Sequence, residues 1–169
     1  MINELNKNEI QWIHLFHIIY SAFDQYTKKA DEMIIKTLAE TGFSIPEANT
    51  LFSHVLSAQH IWAKRILGHK PNYAVWELFD PEDFNSIYQS NIEMLEEILA
   101  NKELTEQITY GNSAGNGFKN TIEEILMHLC NHGTYHRGQL AKILKQAGYV
   151  PPVTDYILLK RQGLLQVTS

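Results

Sequence analysis

Four long stretches of this chain space their apolar residues by threes and fours, and residues that start or stop helices bound each of them. The first predicted helix runs from about Glu9 to Glu40. Its stripe is Ile10, Ile13, Phe16, Ile19, Phe23, Tyr26, Ala30, Ile34 and Leu38, and Gly42 is placed to stop it. The second opens on Ser44-Ile45-Pro46-Glu47, which has the S-x-x-E form of a capping box with proline in the first turn. It continues through Leu51, Val55, Ala58, Trp62 and Ile66 to Gly68. The third opens on Asp80-Pro81-Glu82-Asp83 and carries Phe84, Ile87, Tyr88, Asn91, Met94, Leu95 and Ile98. The fourth begins near Thr121, with Glu124 three residues on, and ends at Gly148 before Pro151-Pro152. Its stripe is Ile125, Leu129, His132, His136, Leu140 and Ile143. Such a pattern predicts an all-α four-helix bundle. The run Gly111 to Gly117 is rich in turn formers, and a short β-hairpin is expected there, near Ile108 to Phe118.

Residues 1–169 read as one domain, long enough to enclose a sizeable core, and no low-complexity linker or repeat divides them. The formal net charge of -5 argues against nucleic acid as a partner, since that requires a basic face. No apolar run approaches the roughly 18 residues that cross a bilayer, so no membrane partner is expected. The N-terminus lacks the basic start and apolar core of a signal peptide, and the single cysteine, Cys130, suits the cytosol. A cytoplasmic location is therefore expected. Cys130 is read as a small apolar residue pointing away from the face of His132.

His132 and His136 are one turn apart on the apolar stripe of the fourth helix, so both imidazoles face the same way. Two readings fit that spacing. One is half of a transition-metal site. The other is a pair of hydrogen-bonded core histidines, because H-x-x-x-H arises easily in a chain with 8 His. Gly133 and Gly138 lie inside the same helix, where each costs about 1 kcal/mol against alanine. They suggest a close approach to the backbone, by a ligand or by a neighbouring helix.

His54, at the edge of the core stripe of the second helix, is the candidate third ligand. His60 lies six positions on, about 240° around the helix, and is expected to point elsewhere. His14 and His17 are reserve candidates, and His69 falls in the following loop. His128 shares the face of His132 but lies about 12 Å from His136 along the axis, so those two cannot hold one ion. It reads as a core or supporting residue, with a His128/His132 pair as the alternative. Three histidines leave coordination positions open, the catalytic pattern, and imidazole suits zinc, nickel, copper or iron. With Gly133 after His132, the H-E-x-x-H motif of zinc proteases is missing, as are the Glu-x-x-His pairs of di-iron bundles, a P-loop and a nucleophile elbow.

At these residues the chain resembles the DinB/YfiT-like family. His54 to Trp62, Arg65 and Gly68 are similar to its H-x-x-x-x-x-x-x-W-x-x-R-x-x-G helix. Asn131-His132-Gly133-Thr134-Tyr135-His136-Arg137-Gly138-Gln139 is similar to its N-H-x-x-x-H-R-G-Q signature. The tail from Gln146 to Tyr156 also fits, so the match spans most of the chain. The resemblance implies a four-helix bundle of mirror-type connectivity and one divalent transition metal (zinc, nickel or iron) held by His54, His132 and His136. It also implies a metal-dependent enzyme acting on a small-molecule substrate, after relatives that are transferases and isomerases using low-molecular-weight thiols. The alternatives are a metal-dependent hydrolase and a non-catalytic metal-binding stress-response protein. A homodimer is compatible with the family. Two departures are visible. Lys29-Ala30-Asp31 stands where many members carry Trp-Ala-Asn, and Tyr135 stands where a further histidine is often seen.

Among the remaining polar residues, Gln139 lies near the face of His136 and is placed to hydrogen-bond a ligand. Arg137 reads as a structural pairing residue before an anion contact. Asp155 is weighed equally as a carboxylate orienting a histidine and as a solvated residue. Tyr73, Trp76 and Trp62 read as aromatic core rather than as a pocket wall.

Overall fold

The computed structural model describes residues 25–111 and 116–165. His14, His17 and the predicted start of the first helix at Glu9 lie outside them. The described chain is helical apart from one two-stranded hairpin: α1 (25–40), α2 (Pro46–Ile66), α3 (Phe84–Asn101), β1 (Gln107–Gly111), β2 (Gly117–Thr121), α4 (Ile122–Gln146) and α5 (Tyr156–Arg161). It is an all-α chain with a short hairpin. No helix among the described residues is long and apolar enough to cross a membrane.

Two compact units are present among the described residues, one within Ile34–Pro152 and the other drawing on residues 25–33 and 153–165. In the larger unit α2 packs against both α3 and α4. Its core unites residues of the predicted stripes, Ile34, Leu38, Val55, Phe84, Tyr88, Ile98 and Leu140, with Phe52, Leu56 and Leu126, which the stripes do not include; all are buried. Burying each such side chain contributes roughly 1.5–3 kcal/mol, which is why helices that are marginal alone hold together here. Burial in α2 goes well beyond a stripe. Every residue of α2 from Phe52 to Ile61 is buried, polar ones included. Part of this polar content is tied inward: the Ser53 hydroxyl donates to the Asn49 carbonyl (2.8 Å) and accepts from the Phe79 N–H (3.3 Å), and the Leu56 carbonyl accepts from Asn91 of α3 (2.9 Å), while the buried Ser57 hydroxyl has no hydrogen-bond partner among the described residues.

The helix ends show which sequence signals act. After α1 the chain turns through left-handed backbone at Gly42 and Phe43, φ +61° and +54°, with the Phe43 N–H closing on the Leu38 carbonyl at 3.0 Å. The capping box expected at Ser44 and Glu47 does not form. Ile45 is the N-cap of α2 and makes no side-chain cap bond, while the Ser44 hydroxyl turns back to the Thr41 carbonyl at 2.8 Å. The box forms instead at Thr121 and Glu124, where side chain and backbone satisfy one another at 3.3 and 2.9 Å. Asp80 caps a single 3-10 turn, Pro81–Asp83, which runs into α3.

The hairpin pairs antiparallel in the register Gln107↔Thr121 to Gly111↔Gly117. Arg65 of α2 anchors it: its guanidinium lies over the Trp62 and Tyr110 rings and donates to the Gly111 carbonyl. In the smaller unit Tyr26, Ala30, Leu159 and Leu165 form the core, and the Tyr26 hydroxyl donates to the Thr154 carbonyl at 3.0 Å. Asp155 is exposed and accepts from the Leu158 N–H as the N-cap of α5. That bond gives it a helix-capping role in place of the histidine-orienting one.

Candidate metal centre

His54 is carried by α2, and His132 and His136 by α4; the packing of these two helices brings all three rings together. One ring nitrogen of each lies within 4.8 Å of the others. The ring centroids are 4.9 Å apart for His54 and His132, 5.0 Å for His54 and His136, and 4.4 Å for His132 and His136. His54 and His136 are buried and His132 is half-buried.

Hydrogen bonds outside the cluster settle which nitrogen faces inward. His54 meets the Val75 carbonyl through Nδ1 at 2.8 Å. A carbonyl only accepts, so Nδ1 carries the proton and Nε2 presents a lone pair. His136 Nδ1 meets Gln139 Oε1 at 2.8 Å, which fixes that ring in the same way. His54 Nε2 lies 3.0 Å from His132 Nε2. With the His54 proton held at Nδ1, either His132 donates across this contact or a cation takes the place of that proton.

The donor set fits a divalent transition metal. Nitrogens bound to zinc at about 2.0–2.1 Å lie no more than about 4.2 Å from one another, and the Nε2 atoms of His54 and His132, 3.0 Å apart, are within that limit. The environment favours neutral imidazoles, the form that binds metal. His132 is pushed down to about 4, first by burial and then by His136, His54 and His128. His136 is lowered by burial, against the raising effect of its bond to Gln139.

The other histidines are placed elsewhere. His60 is buried, accepts from the Asn72 N–H at 3.2 Å and packs on Tyr73. His69 is exposed. His128 is exposed as well, lying against Trp62, which corrects its reading as a core residue. Its ring centroid is 5.6 Å from that of His132, outside the cluster of three.

Arg137 is buried at 1% exposure and donates to the Thr134 hydroxyl at 3.1 Å. Its guanidinium explains Gly133: a Cβ there would meet Arg137 Nη1 at 2.8 Å. The close approach is thus made by the same helix, not by a ligand or a neighbouring helix. Gly138 has nothing within 4 Å of a Cβ position, and nothing in the structure explains it.

Two features of the site were not legible as such. Val75 supplies a backbone carbonyl, which no side-chain pattern reveals. Trp76, read as core, is 62% exposed and stacks on the His54 ring at 3.8 Å and 11°. The signal was the irregular aromatic segment after α2. Trp76 and Gln139 also line a cavity of about 520 Å³ between α2 and α4.

Residues 24–164 match the model of the DinB family. A curated relative, Protein DinB of Bacillus subtilis (strain 168), is 42% identical over 55 residues. That alignment spans 32% of this chain and 32% of the relative.

Proposed function

Since the chain belongs to the DinB family, we propose that it is a metal-dependent enzyme in which His54, His132 and His136 hold one divalent transition metal through their inward nitrogens. The convergence of three imidazoles beside an open cavity carries this reading. An ion held only by three side chains keeps positions free, whereas a structural ion is closed by four. A cavity of about 520 Å³ falls within the range of small-molecule sites.

The reaction we propose is displacement at an electrophilic carbon by a low-molecular-weight thiol: the C–S bond forms as the bond from that carbon to its leaving group breaks, and the leaving group departs to solvent with the electron pair. A divalent cation at the site supplies Lewis acidity and lowers the pKa of a thiol bound beside it. The chain's own residues do the rest. Val75 and Gln139 fix the ring planes of His54 and His136, and burial keeps His132 and His136 neutral. All three histidines serve as ligands, so none is left as a general base, and the thiol proton passes to solvent. This favours a thiol over water, which calls for a base beside the ligands, and so ranks hydrolysis below transfer.

The test is spectroscopic. Cobalt-loaded protein should change its visible absorption when a small thiol is added, and His54→Ala should neither retain cobalt nor respond. Absence of a change across several thiols, together with no turnover against a panel of electrophiles, would sink the transferase reading. Ester and amide hydrolysis by the wild type that His54→Ala lacks would establish the hydrolase instead.

A further inference from the structure

Trp76 is an unusual residue to find 62% exposed, since tryptophan is on average a highly buried side chain. Its neighbours Val75 and Leu78 are exposed too, at 53% and 68%. The indole is nevertheless held in a defined position. One of its faces lies flat on His54, with ring centroids 3.8 Å apart and planes 11° from parallel. The preceding carbonyl, that of Val75, holds the same histidine through Nδ1.

With one face covered, the exposed area belongs to the other face and the edges. Trp76 is at the same time part of the wall of the cavity of about 520 Å³. Leu51 and Ile143 give that cavity further apolar wall, and Gln139, bonded to His136, joins it to the histidine cluster. Glu47 and Lys142 place charges of both signs on its lining, so neither sign of net ligand charge is selected.

We propose that Trp76 is a stacking platform that selects substrates bearing a flat, largely apolar ring. Such a ring continues the stack begun by His54 and the indole, within the cavity that Gln139 joins to the histidine cluster. This deepens the enzymatic reading above and rests on it for the identity of the cavity as a substrate site. Trp76 is a specificity-determining residue in this view, since it touches the ring and leaves the metal ligands to others. Offset stacking between aromatic rings adds to what their area alone contributes, so a flat ring should be preferred over a saturated ring of the same size.

The experiment compares benzyl mercaptan with cyclohexylmethanethiol on the cobalt-loaded protein, by titration of the cobalt absorption. The aryl thiol should bind roughly two- to tenfold tighter. Trp76→Leu should bring the two together, while Trp76→Phe keeps most of the difference; cobalt content should be equal in all three proteins. Equal affinity for the two thiols in the wild type, or an undiminished preference in Trp76→Leu, overturns the proposal. If neither thiol perturbs the cobalt spectrum, it is the thiol reading that fails. A second measurement then decides the platform alone: saturation-transfer NMR of 2-naphthylmethanol on metal-free protein. A signal in the wild type that Trp76→Leu loses supports the platform, and equal signals in the two overturn it.

Discussion

His54 Nε2 and His132 Nε2 face one another at 3.0 Å although 78 positions separate them in the chain. The Val75 carbonyl keeps the proton of His54 on its far nitrogen. A lone pair aimed at a second imidazole nitrogen is an arrangement that a divalent cation completes.

Replacing one ligand should therefore remove the ion. His132→Ala is expected to abolish metal retention, because two remaining imidazoles form too weak a site. His60→Ala should leave metal content unchanged, since His60 is occupied with the Asn72 N–H. That second variant leaves the N–H without its partner and should cost about 1–3 kcal/mol of stability. Metal analysis after dialysis, with urea unfolding alongside, checks both halves. Equal metal content in the wild type and His132→Ala would make the histidines core residues only.

Gln139 acts one step further out. It holds the His136 Nδ1–H at 2.8 Å and so sets the ring that presents the opposite nitrogen. Gln139→Ala should keep the fold and lower metal affinity by roughly 10- to 100-fold, the usual effect of losing such a partner. Competition with a chromophoric chelator measures it. Unchanged affinity would show that packing alone orients His136.

The pH dependence of the metal-free protein has a definite sign. His132 is held near 4 in the fold, below its unfolded value near 6.5. Between those values the unfolded chain takes up a proton that the folded chain refuses, so stability falls as pH is lowered. The contribution is fully present above about pH 6.5 and is lost as pH falls through the folded value, near 4. It amounts to at most about 3 kcal/mol, and to less once solvent screening of the half-buried ring is counted. Urea midpoints measured between pH 4 and pH 7.5 should show this slope, and His132→Ala should flatten it. A slope of equal size in the variant would place the effect on other groups.

The two glycines of α4 should respond differently to alanine. Gly138→Ala meets open space and should add up to about 1 kcal/mol from helix propensity. Gly133→Ala should lack that gain, because its Cβ would stand 2.8 Å from the buried Arg137 guanidinium and force it to move. Thermal unfolding of both variants checks the contrast, and a similar rise in both would mean that Arg137 is free to relocate.

The helical start signals show how far local sequence reaches. Ser44-Ile45-Pro46-Glu47 and Thr121-Ile122-Glu123-Glu124 carry the same S/T-x-x-E pattern, yet only the second makes the box. The difference lies in what precedes each. Ser44 follows directly on the left-handed turn that ends α1, and its hydroxyl is taken by the Thr41 carbonyl. Thr121 leaves an extended strand, so its hydroxyl is directed at the N–H groups of the next turn.

The sequence by itself determined α2, α3, α4, the described part of α1, the hairpin and the pairing of His132 with His136, because spacings of three and four decide which residues share a helix face; α5, six residues long, is too short to show such a stripe. It also made His54 a candidate, through its place at the edge of a core stripe. Only the tertiary structure decided that His54 meets that pair, since the crossing of α2 and α4 depends on how their whole surfaces pack. It alone decided the tautomer of His54, which the Val75 carbonyl imposes, whereas Gln139, three residues from His136 on α4, is a local partner. It also set the place of Trp76: an aromatic residue in an irregular segment has no period to assign it a face, and the fold put this one beside the site.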